Sequence, residues 1–112
     1  MNITDYTAET SLKYGSNPNP ELFKVLKYGH IVFIDLITES MSVGATDTFL
    51  MMELPEECKP ISTFNSRITL DDINVNTNIK INCNSATSIV NLQNSTSFSN
   101  QKICIHVSYL VA

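Results

Sequence analysis

Along most of this chain the apolar residues fall at every second position, the period of a strand with one face turned inward. The clearest case is the last segment, where Ile103, Ile105, Val107, Tyr109 and Val111 share one face and Cys104, His106 and Ser108 the other. Asn78 to Asn82 alternates in the same way, with Ile79 and Ile81 opposite Lys80 and Asn82. Leu22 to Tyr28 is aromatic and aliphatic and stops at Gly29, which predicts a tight turn into the next strand. His30 to Glu39 and Thr46 to Leu54 carry apolar residues on both faces, Phe49 and Met51 against Leu50 and Met52 in the second. Strands of that kind are expected to be covered on both sides. Ser66 to Leu70 and Ala86 to Leu92 complete a set of about seven short strands, separated by turns about every 8–12 residues. No helical stripe of useful length follows Leu22. The expected fold is all-β: an antiparallel β-sandwich over residues 22–112, preceded by an extended N-terminal arm or linker, 1–21, that ends in the turn-rich run Gly15-Ser16-Asn17-Pro18-Asn19-Pro20.

The totals narrow the function. At 112 residues the chain fits one domain. A net charge of −4 with a single arginine, Arg67, and scattered lysines gives no basic stripe for phosphates, so no nucleic-acid partner is expected. The longest apolar run, Ile31 to Ile37, contains Asp35 and is far short of the roughly 20 residues that cross a bilayer, so no membrane insertion is expected. The polar, acidic N-terminus has no signal-peptide character, which points to synthesis in the cytoplasm. Three cysteines, Cys58, Cys83 and Cys104, have no C-x-x-C spacing and are expected to be reduced thiols rather than a disulfide framework or zinc ribbon. The sequons at Asn2 and Asn94 carry no weight without secretion.

Two segments carry a resemblance. Lys27-Tyr28-Gly29-His30-Ile31-Val32-Phe33-Ile34 resembles the K-x-G-N-I-V-x-V opening of phage and prophage tail-fibre or baseplate tip domains. Leu54-Pro55-Glu56-Glu57-Cys58-Lys59-Pro60 resembles that family's L-P-x-G-(Y/F)-x-P turn, and an Ile-rich strand and the terminal Ile105 to Val111 follow in the same order. The likeness covers about Leu22 to Ala112. Glu57-Cys58 replaces the usual glycine and aromatic, and asparagines such as Asn82 and Asn84 stand where the family uses glycine; asparagine tolerates left-handed backbone better than most residues. The resemblance implies a jelly-roll-like, homotrimeric receptor-binding head at a virion tail tip or baseplate. It also implies an N-terminal arm that joins other tail proteins and a host cell-surface saccharide as ligand. Apolar residues on both faces of Ile31 to Ile37, Phe33 among them, fit an interface between copies.

No catalytic constellation emerges, so no enzyme activity and no cofactor is expected. Cys104 and His106 lie two apart on one strand face, yet two further ligands are unassigned and no metal site is expected. A cysteine–histidine hydrolase lacks any supporting signature. For a saccharide the candidates are loop residues with carboxylates, amides and one ring: Asp71, Asp72, Asn74, Asn76, Asn94 and Phe98. Asp71-Asp72 with Asn74 and Asn76 reads as an ordinary solvated turn sooner than as an oxygen-ligand loop for a cation, and Phe98 as a core ring beneath the polar loop Asn94 to Gln101 sooner than as a platform. Two alternatives stand beside receptor binding: a structural module that only trimerises, and a small carbohydrate-active sandwich.

Overall fold

The computed structural model describes residues 2–44, 46–67, 79–94 and 97–111; at 46, 47, 66 and 67 it describes the backbone alone. Eleven strands are present among them: β1 Ile3–Asp5, β2 Ser11–Tyr14, β3 Leu22–Tyr28, β4 Ile31–Ile37, β5 Met41–Val43, β6 Thr46–Glu53, β7 Phe64–Arg67, β8 Ile79–Cys83, β9 Ile89–Asn94, β10 Phe98–Gln101 and β11 Cys104–Leu110. Among the described residues helix is limited to two single 3₁₀ turns, at Thr7–Glu9 and Glu56–Cys58. Every described pairing is antiparallel. A four-stranded sheet runs β1-β3-β4-β11, a five-stranded sheet runs β2-β6-β9-β8-β7, and β10 pairs with β5 as a short ribbon. The expected all-β sandwich is what forms.

The core follows from the alternation. In β4 the inward residues are Val32, Ile34 and Leu36; their neighbours in register are Val25 of β3 and Ile105 and Tyr109 of β11. From the opposite sheet come Leu50 and Met52 of β6, Val90 and Leu92 of β9, and Ile79, Ile81 and Cys83 of β8. These side chains form one buried cluster. Sheet-to-sheet contact is also direct, as Phe64 of β7 packs its ring 5.4 Å from that of Tyr109. The Tyr109 hydroxyl donates to the Cys58 carbonyl at 2.6 Å, so a ring that fills the core also satisfies a buried acceptor.

Two turns show why the chain reverses where it does. Tyr28 and Ile31 face each other, leaving a two-residue connection whose first residue, Gly29, has φ 61. Glycine adopts that region without a Cβ clash, as the tight hairpin requires. Between β8 and β9 the Asn84 side chain accepts from the backbone N–H groups of Ala86 and Thr87, at 2.8 and 3.2 Å. Ser88, at φ 60, completes the turn.

The N-terminal segment departs from expectation. Residues expected to form an arm are paired into both sheets: β1 onto β3, with Ile3 opposite Tyr28, and β2 onto β6, with Tyr14 opposite Leu50. The intervening turn is tied down as well, since Tyr6 N–H donates to the Val25 carbonyl at 2.8 Å and the Thr7 hydroxyl accepts from Val25 N–H at 3.0 Å. The turn-rich run from Gly15 to Pro20 is real, but it carries the chain from one sheet to the other. Phe98 to Gln101, read as loop, is β10, and Ala86 to Ser88, read as the start of a strand, belongs to the turn before β9.

Candidate functional site

The four-stranded sheet has an outer face whose composition is unusual for a surface. Pairing registers place its side chains in rungs. Ile3, Tyr28, Ile31 and Leu110 form the first rung, across β1, β3, β4 and β11. Asp5, Leu26, Phe33 and Ser108 form the second; Lys24, Asp35 and His106 the third; Leu22, Ile37 and Cys104 the fourth. The first rung is apolar from edge to edge and open to solvent, with Ile3 64%, Tyr28 42%, Ile31 37% and Leu110 57% exposed. Among the described residues six large apolar side chains are exposed, and five of them, these four and Leu22, lie on this one face. Scattered exposed hydrophobics are ordinary, but a contiguous set marks a contact surface.

Charge on the face is confined to its middle. Lys24 pairs with Asp5 at 3.7 Å on one flank, and His106 Nδ1 meets Asp35 Oδ1 on the other. A hydrogen bond from Thr7 holds the Asp5 carboxyl below its ordinary value, so it is ionised at neutral pH. The rest of the face is polar only at Ser108 and at the rim thiol of Cys104, which is exposed.

A groove of about 480 Å³ lies beside the 3₁₀ turn that follows Leu54. Lys27, Glu56, Glu57, Lys59 and Ser85 supply its polar lining, and Pro60, Ile61 and Val111 line it as well. Glu56 and Lys59 already pair across it at 3.7 Å. Sequence reasoning treated this stretch only as a turn.

The six saccharide candidates fare differently. Asp71, Asp72, Asn74 and Asn76 lie outside the described residues. Asn94 and Phe98 are inside the fold, 3% and 5% exposed. Phe98 turns its ring edge toward Phe49, centroids 5.9 Å apart at 74°, and Asn94 donates from Nδ2 to the Gly44 carbonyl at 2.9 Å. The Phe98 ring is thus a packing element between β10 and β6, and neither residue presents a platform at the surface. The reason is visible in the pairing: β10 folds back on β5, Phe98 opposite Val43, which turns the ring inward.

None of the three cysteines is in a disulfide. Cys58 and Cys83 are buried, and burial pushes their thiols up to about 11 and about 12. That is the opposite of an activated nucleophile. Among the described residues no three of His, Cys, Asp and Glu gather in a way that would hold a metal ion. No described helix is long and apolar enough to cross a membrane. What the geometry offers is an apolar surface with a charged centre, suited to covering by another macromolecule. Comparison with protein-family models, with curated proteins and with solved structures finds no match for this chain.

Proposed function

We propose that this chain is an assembly module, a sandwich that works by presenting the outer face of its four-stranded sheet to a partner rather than by catalysis. One observation carries the reading: among the described residues, five of the six exposed large apolar side chains are gathered on that face. Leaving Tyr28, Ile31 and Leu110 in water forgoes roughly 25 cal/mol for each Å² of apolar surface, a loss that a covering partner recovers. The resemblance of Lys27 to Ile34 and of Leu54 to Pro60 to tail-fibre and baseplate tip domains supports placing such a module in a phage or prophage tail appendage. Within that setting a connecting role has more behind it than saccharide recognition, because the one candidate ring, Phe98, is packed in the core.

The test is photo-crosslinking in the cell that makes the protein. A benzophenone amino acid in place of Leu110, on the face, should give a discrete crosslinked product. The same group in place of Gln93, which is exposed on the other sheet, should give none. Equal products from both positions, or none from either, would contradict the reading.

A further inference from the structure

We infer that the partner on this face is a second copy of the same chain, packed face to face about a two-fold axis that runs along the strands between β3 and β4. The inference rests on the contact-surface reading above and adds the identity and register of the occupant. A two-fold contact must be self-complementary, since each residue meets whatever the axis carries onto it. This axis exchanges β3 with β4 and β1 with β11 and leaves each rung at its own level along the strands. Tyr28 of one copy then faces Ile31 of the other, and Ile3 faces Leu110, so the exposed apolar rung is covered from end to end. One level further along, Lys24 faces Asp35 of the second copy and Asp35 faces Lys24.

The charged rung favours this axis. An axis in the same plane, perpendicular to the strands and level with the charged rung, would set Lys24 against Lys24 and Asp35 against Asp35, and one midway along the face would set them against Leu26 and Phe33, leaving buried charge unmatched. An axis along β4 itself would bring the two Asp35 carboxylates together. Like charges opposed in a dry interface disfavour those arrangements strongly. Aligned stacking of two sheets about 10 Å apart is the ordinary way that such faces pack. With strands about 4.8 Å apart and a rise of about 3.3 Å per residue, the face is on the order of 15–20 Å by 23 Å. That footprint, about 700–900 Å² over both copies, is below the usual range for stable interfaces, so the pair should form weakly and reversibly rather than as an obligate dimer.

Sedimentation velocity over low to high micromolar concentrations tests this. The wild-type chain should move from one-copy to two-copy mass. Lys24→Asp and Asp35→Lys should each raise the dissociation constant about tenfold or more, with circular dichroism unchanged. The double variant should associate more tightly than either single variant, because the swapped charges again face each other, and less tightly than wild type, because Asp5 lies beside position 24. Gln93→Asp, on the far sheet, should change nothing. A wild type that stays monomeric throughout, a two-copy mass unaffected by either single change, a double variant as weak as the singles, or a three-copy mass would each overturn the inference. A monomeric chain that still crosslinks to a different protein from position 110 would remove the second copy and leave the contact surface standing. Loss of both results would remove both.

Discussion

At the scale of single residues, polar groups inside the sandwich are matched to particular acceptors, and the matches make measurable claims. Tyr109 is nearly buried, and burial holds its phenol well above the ordinary value. Tyr109→Phe keeps the ring but leaves the Cys58 carbonyl without its donor, so a loss of about 1–2 kcal/mol in chemical denaturation is expected. Tyr14 makes a similar bond to Glu39, 2.6 Å from Oε1, and that bond holds the Glu39 carboxyl below its ordinary value of 4.5. A carboxyl lowered in the folded state stabilises above its unfolded value and loses that contribution as pH falls through the folded one. Tyr14→Phe should therefore cost up to about 1 kcal/mol at neutral pH, Glu39 being partly solvated. The difference from wild type should shrink as the pH is taken below the carboxylate range. Thermal melts at pH 7 and pH 3 check both parts. The cysteines divide in the same way. Iodoacetamide near pH 8 should modify exposed Cys104 readily, and Cys58 and Cys83 at least about a hundredfold more slowly until the chain unfolds. Peptide mapping at timed intervals gives the rates.

At the scale of elements, Thr38 shows how a short join is held. It is fully buried just past β4; its backbone N–H donates to the Ile103 carbonyl at 3.0 Å, while its hydroxyl accepts from Ile103 N–H at 2.9 Å. Thr38→Val preserves shape and removes the acceptor, leaving a buried N–H unmatched, for an expected loss of about 1–3 kcal/mol. Thr38→Ser should retain most of the stability. Five strands were legible in the sequence from local signals, β8 and β11 by their period of two and β3, β4 and β6 as apolar runs bounded by turn residues. In the last strand the inward residues were legible too, Ile105 and Tyr109 against His106 and Ser108; in β6, apolar on both faces, the choice of Leu50 and Met52 over Met51 was not. The short strands β1, β2, β5 and β10 were not. Each has only three or four residues, too few to show a period, and each is placed by its partner: Ile3 by Tyr28, Leu12 by Met52, Phe98 by Val43. The same limit left Phe98 open between a loop ring and a core ring, since a ring in a polar stretch is placed only once its strand pairing is known.

At the scale of the whole molecule, β4 is the point where sequence and structure meet. Apolar residues on both its faces were expected to be covered on both sides. The inner face is covered by the opposite sheet; on the outer face Phe33 and Ile37 are half-buried and Ile31 is exposed. The unmatched half of that expectation is what an assembly reading supplies. The face could not be read from the sequence, because the β3–β4 hairpin at its centre is completed by β1 and β11, which come from opposite ends of the chain. Hydroxyl-radical footprinting of the purified chain, at concentrations below and above the onset of association, tests the central claim most directly. Oxidation of Tyr28, Ile31 and Leu110 should fall several-fold on concentration while Met51, on the outer side of the other sheet, stays constant. Equal oxidation of the three face residues at both concentrations, or protection that falls on Met51 instead, would contradict it.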